Sequence, residues 1–178
     1  MTGASGGIGK QLIHELLRQG YQPVAMVREG SDTSYLDSVG VERRVADVRN
    51  EHQIARVVVG IDAIIHAAAI VDFRQDRMTQ FVGVNTFGAV NLFRAAHAAG
   101  VRRFVHVSTV AAVGGILRDR RRPALQPMTE SYAFNLEPLR IPYIQSKHAA
   151  EIELRLLCGV GTPELVTVNP SIVVAPSR

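Results

Sequence analysis

Tyr143 and Lys147 stand four positions apart in the run PYIQSK that begins at Pro142, a spacing that puts two side chains on one helix face about a turn apart. An ammonium beside a phenol favours the ionised phenol, so a tyrosine of ordinary pKa ~10 becomes a proton donor and acceptor nearer neutrality. At the other end of the chain, residues 2–9 read TGASGGIG. Glycines between a strand and a helix let backbone N–H groups and the helix N-terminus approach a pyrophosphate that side chains would obstruct. Gly3, Gly6, Gly7 and Gly9 serve that approach, Ile8 opens the helix, and Ser5 adds a hydroxyl. The spacing satisfies both G-x-x-G-x-x-G and G-x-x-x-G-x-G, so the turn alone does not choose between branches of nucleotide-binding proteins.

The elements that must position these groups alternate in type. Helical patterns cover Ile8–Gln19 with Gly20 as stop, Gln53–Val59, the Ala-rich Met78–Ala99 ended by Gly100, and Ile141–Leu157. Strand patterns cover Pro23–Val27, Val41–Val45, Asp62–His66, Arg103–Val107 and Glu164–Val168. This alternation predicts an α/β fold, a Rossmann-type doubly wound parallel sheet, with residues 1–178 as one dinucleotide-binding domain. Only Met1 precedes the glycine turn, so the central first strand is expected to be largely missing, and the C-terminal substrate domain absent. Loss of a central strand leaves backbone groups unpaired, and the polypeptide alone is expected to be unstable, aggregated or unable to bind cofactor.

Composition points to a soluble globular domain. Hydrophobic residues make up 47% and charged residues 20% of the sequence, which is globular rather than disordered. The longest apolar stretch, Val57–Val71, is broken by Asp62 and His66 and does not read as a membrane span. No signal peptide precedes the turn, and the single Cys158 excludes an internal disulfide, so a cytoplasmic location and a buried packing role for that thiol are expected. Much of the net charge of +4 lies in Arg118, Arg120, Arg121 and Arg122. That run reads as a solvated loop, or else as a contact for an anionic substrate group; nucleic acid is the weaker partner. The histidines form no cluster with acids or Cys158, so no metal is expected, and His66 reads as a satisfied strand histidine.

With these elements in order, the chain resembles the extended branch of the short-chain dehydrogenase/reductase superfamily, the NAD-dependent epimerase/dehydratase family, and within it the dihydroflavonol-reductase-like group. The residues that carry the resemblance are Gly20-Tyr21, Val27-Arg28, Ala46-Asp47-Val48, His66 to Ala69, and Tyr143 to Lys147 followed by Ala150-Glu151. Thr109 lies far ahead of Tyr143, as in extended members. The resemblance implies that Tyr143 exchanges a proton with a carbonyl oxygen, that Lys147 lowers the tyrosine pKa and holds ribose hydroxyls, that Thr109 binds the reacting oxygen, and that Asn85 supports the lysine. It further implies that Ala67 and Ala68 run under the cofactor, that Asp47 and Val48 meet the adenine, that Ser108 beside Thr109 belongs to the cofactor site, and that the turn Asn169-Pro170 borders the nicotinamide.

Arg28 follows Val27, which occupies the place where an acidic residue would bind the ribose hydroxyls of NAD; an arginine there pairs with a 2′-phosphate, so NADP is favoured, with NAD as the other option. The function implied is an NADP(H)-dependent oxidoreductase that interconverts a carbonyl and a secondary alcohol. Two alternatives stand beside it: a nucleotide-sugar epimerase or dehydratase that retains NAD, and a non-catalytic cofactor-binding or RNA-binding relative. The partners implied are a small-molecule substrate and, through the helices Met78–Ala99 and Ile141–Leu157, a second copy in a homodimer; no membrane is expected.

Overall fold

A computed structural model describes residues 1–72, 77–115, 129 and 131–173. The arginine run at 118–122 lies outside the described residues. Among the described residues five strands appear, β1 (Val24–Val27), β2 (Glu42–Val45), β3 (Ala63–His66), β4 (Arg103–Val107) and β5 (Glu164–Val168), all within a residue or two of the ranges predicted by apolar patterning. Between them run α1 (Gly7–Arg18), α2 (Ser34–Ser38), α3 (Glu51–Val57), α4 (Met78–Phe81), α5 (Gly88–Ala98), α6 (Val110–Val113) and α7 (Pro142–Leu157). The short helices α2 and α6 carry too few turns to show a period, and they were not expected from the sequence.

The Ala-rich helix predicted over Met78–Ala99 is one rod in three parts, because a π-helical segment, Val82–Phe87, joins α4 to α5. A π turn carries one extra residue and displaces the side chains within it, here the buried Asn85 and Thr86. Gly100 ends the rod at φ +71°, where its N–H meets the His97 carbonyl and that of Val101 meets the Ala96 carbonyl. A left-handed residue is needed there, and glycine supplies it without a Cβ clash. Asn50 starts α3 by accepting the Gln53 N–H at 3.1 Å.

Every strand pair is parallel. β1 pairs with β2, and β3 with β4 and β4 with β5, in uninterrupted register. Thr2 joins the two sets, bridging Met26 of β1 and His66 of β3. The spatial order is therefore β2, β1, the Met1–Thr2 segment, β3, β4, β5, which is the doubly wound arrangement with two residues in the central lane. The gap expected there is closed at its C-terminal end: Thr2 donates to the Ile65 carbonyl at 3.0 Å and Met26 to the Met1 carbonyl at 2.8 Å.

Successive strand residues face opposite sides, and the two faces bury separate cores. Ala25 and Val27 pack with Ala4, Ile13, Leu36 and Val41, whereas Met26 packs against the other core. That second core holds Ile54, Ile64, Leu92, Phe93, Phe104 and Leu154 from α3, β3, α5, β4 and α7. Cys158 departs from expectation, for it is exposed. It follows the last residue of α7 with an extended backbone, so its thiol bends back only to the Leu154 carbonyl at 3.3 Å.

Candidate active site

The glycine turn is built by close approach. A Cβ on Gly9 would stand 2.0 Å from the Gly3 carbonyl oxygen, and one on Gly3 would meet the Ala67–Ala68 backbone at 2.7–2.8 Å. Gly6 caps α1 without a side-chain hydrogen bond, and its N–H donates to the Gly3 carbonyl at 3.1 Å. Gly7 has open space around it. Local geometry thus selects the G-x-x-G-x-x-G reading: positions 3, 6 and 9 are constrained, and position 7 is not. Gly7 and Ile8 lie exposed at the start of α1.

Beside this turn a cleft of about 280 Å³ opens along the C-terminal ends of β1 and β3, the place where parallel sheets bind ligands. Gly3, Ser5, Gly6, Arg28, Asp47, Val48, Ala67 and Ala68 all line it. So do Ser31 and Ile70, which were not singled out; Ser31 sits in a turn closed by its N–H to the Arg28 carbonyl, and the REGS run after a strand was its available signal. Arg28 is exposed, with Val27 buried before it. Asp47 pairs with Arg49 at 2.6 Å, and chiefly that guanidinium, with a smaller contribution from Arg28, holds its carboxyl below the usual range.

The second group of predicted residues collects where β4 and β5 end against α7. Thr109 caps α6, and its side chain lies beside the half-buried Tyr143 phenol. Burial raises the Tyr143 pKa, and Thr109 beside it partly offsets the rise; Lys147 is not among the causes. The Lys147 ammonium is directed into β4, donating to the Val107 carbonyl at 2.7 Å and lying 3.4 Å from His106 Nε2. Lys147 is only 1% exposed, and burial pulls its pKa down to about 8, opposed by the charge of Glu151.

Ser108, expected at the cofactor, uses its hydroxyl inside the protein, 2.5 Å from Glu151 Oε1. Asn169 donates to the same oxygen at 2.7 Å and to the Thr109 carbonyl at 3.0 Å, while the Pro170 carbonyl accepts the Val110 N–H at 2.9 Å. Asn85 reaches Ser146, the residue before Lys147, at 3.0 Å, and its amide brackets the Ile70 backbone at 2.8 and 3.1 Å. Its π turn is thereby fastened to α7. His148 is stacked on Phe134 at 3.7 Å and bonded to the Ala112 carbonyl at 2.8 Å, which fixes α6 against α7.

His106 was missed by sequence reasoning, although it shares strand parity with the buried Phe104 and so had to face the core. His66 is not fully satisfied: Nδ1 meets the Thr2 hydroxyl at 2.8 Å, but Nε2 has no partner among the described residues. Among the described residues no group of three His, Cys, Asp or Glu could hold a metal, and no helix is long and apolar enough to cross a membrane.

Comparison with known proteins agrees with this fold. The chain is 31% identical over 179 residues to sterol demethylase protein B of Methylococcus capsulatus (99% of this chain, 51% of the relative) and 29% identical over 189 residues to dihydroflavonol 4-reductase of Zea mays (99% and 52%). It spans about half the length of these curated relatives. The fold superimposes with a TM-score of 0.80 on a UDP-glucose-4-epimerase of Stenotrophomonas maltophila with bound NAD and formylated UDP-arabinopyranose, at 26% identity, covering 94% of this chain and 51% of that one. The model of the NAD dependent epimerase/dehydratase family matches residues 1–178, and the chain belongs to that family.

Proposed function

We propose that residues 1–178 form the dinucleotide-binding domain of an NADP(H)-dependent oxidoreductase that interconverts a carbonyl and a secondary alcohol. The observation that carries this reading is the meeting of Thr109 and the half-buried Tyr143 where β4 ends against α7, with Lys147 one turn along α7 at the end of the same sheet as the cofactor cleft. When bound, the nicotinamide supplies or accepts the hydride. Tyr143 gives its phenolic proton to the carbonyl oxygen, Thr109 donates a hydrogen bond at the same place, and Lys147 holds ribose hydroxyls and adds positive charge at the buried end of the site. In the reverse direction the tyrosine is the base. Gly3, Gly6 and the start of α1 would take the pyrophosphate, and Asp47 and Val48 the adenine. Arg28 and Ser31 on one rim, with apolar Val27 where an acid would suit NAD, support a 2′-phosphate.

The name of the maize relative supports a reductase. A second reading, an epimerase with retained NAD, has in its favour the UDP-glucose-4-epimerase likeness. Added NADPH consumed with a carbonyl substrate marks the first reading; NAD carried through purification with no net NADPH turnover marks the second. Phe87, Ile152 and Leu156, apolar and exposed along the helical rod and α7, support a homodimer through these helices.

Changing Tyr143→Phe tests the site directly. Cofactor titrates almost as before, and turnover falls by at least ~10²-fold, the usual worth of general acid catalysis. Turnover near that of the parent protein would refute the proton-transfer role.

A further inference from the structure

His66 and His106 are register partners on β3 and β4, and both rings are completely buried. They stack at 5.5 Å between centroids and 28° between planes. His106 Nε2 lies 3.4 Å from Lys147 Nζ, while His106 Nδ1 has no partner among the described residues. An ammonium offers only donors, so Nε2 must carry the lone pair and Nδ1 the proton. A buried N–H without an acceptor is a cost that a phenylalanine in the same slot would not carry. Nδ1 gains nothing there, so the return on burying an imidazole rather than an apolar ring lies at Nε2.

We propose that His106 is a positioning residue for Lys147, its neutral ring accepting a hydrogen bond from the ammonium and, with the Val107 carbonyl, holding Nζ at the end of β4. The proposal rests on the reading of Lys147 as part of the Tyr143 site. Among the described residues, the titratable groups that act on or meet Lys147 are His106 and His66 from the sheet and Glu151 from its own helix, where Tyr143 stands one turn earlier. Glu151 is the one carboxylate among them, and Ser108, Asn169 and Arg155 already engage it. A carboxylate in place of His106 would lock the lysine into an ion pair and hold its proton far into the alkaline range. An apolar residue would leave burial unopposed on that side and discharge it. A neutral acceptor does neither, which accords with a lysine that titrates at about 8.

The test uses a convenience of this chain: Lys10 and Lys147 are its only lysines. With lysine labelled with ¹³C at Cε, two titrating signals are seen, and Lys10→Arg identifies the one from Lys147. In His106→Phe the Lys147 midpoint falls by about one unit, the effect of losing a hydrogen bond to a charged group. In His106→Gln, whose amide oxygen restores an acceptor, it stays near that of the parent. An unmoved midpoint in the phenylalanine variant, or an equal fall in both variants, overturns the proposal. Should the phenylalanine variant fail to fold, ¹⁵N shifts of the His106 ring in the unaltered protein decide: Nδ1 protonated and Nε2 bare supports the role, and the opposite tautomer overturns it. None of these readouts requires turnover. A Tyr143→Phe variant that keeps its activity would therefore sink the catalytic reading and leave the His106 result standing, and an unmoved Lys147 would do the reverse.

Discussion

Asn169 donates to Glu151 Oε1 at 2.7 Å, so the end of β5 is tied to α7 through a carboxylate that is itself only 3% exposed. The same oxygen takes the Ser108 hydroxyl from the end of β4, and the Asn169 amide also reaches the Thr109 carbonyl. Glu151 thus sets the distance between the strand that carries Thr109 and the helix that carries Tyr143. Replacing it with alanine leaves the buried Ser108 hydroxyl without its acceptor and removes one bond from the half-buried Asn169 amide, a loss of about 1–3 kcal/mol. Glu151→Gln keeps an acceptor oxygen and loses less. Urea denaturation of the two variants checks the order.

Acid should unfold this domain through its buried histidines. Burial is the first cause that holds both rings neutral, followed by the charge of Lys147, and His66 is pushed down to about 3 from an ordinary 6.5. Below 6.5 the unfolded chain takes up protons that the folded one refuses, so stability falls as pH drops from there toward the folded values. Each histidine contributes on the order of 1 kcal/mol per pH unit across that window. Urea midpoints at pH 6.5, 6 and 5 show the decline. His106→Phe removes about half of it, and a flat profile in the parent protein would contradict the burial argument.

The glycine turn makes unequal demands on its members. Gly9→Ala drives a Cβ into the Gly3 carbonyl and pushes α1 off the sheet, at about 1–3 kcal/mol or more. Gly7→Ala meets nothing within 4 Å, and its thermal midpoint stays near that of the parent. Equal losses at the two positions, measured by thermal unfolding, would refute the spacing assigned here.

Arg28 is expected to select the cofactor. Arg28→Ala removes a charge-assisted contact worth about 1.5 to 3 kcal/mol with the 2′-phosphate, and NADPH binding weakens while NADH binding barely changes. Fluorescence titration of each nucleotide gives the comparison, and equal losses would remove Arg28 from that role.

What the sequence determined by itself is what local pattern encodes. Strand parity, helix period and glycine stops are properties of neighbouring residues, so five strands, the long helices and the parallel α/β architecture could be read before any contact was known. The grouping of Gly3, Ser5, Gly6, Arg28, Asp47, Val48, Ala67 and Ala68 around one cleft was implied by the glycine turn together with the family resemblance, and parallel strands bring their C-terminal ends to that one edge. Hydrogen-bond partners and burial depend on segments far apart in the chain, and only the tertiary structure decided them. The helical spacing of Tyr143 and Lys147 placed the two on one face, but that the ammonium meets the Val107 carbonyl and His106, and that Thr109 lies beside the phenol, came only from the tertiary structure. Cys158 looked buried by its apolar neighbours, yet the chain leaves the helix there and carries the thiol outward. The central strand was expected to be largely missing, and only Met1 and Thr2 stand in its lane; that these two residues pair with both neighbouring strands was decided by the tertiary structure.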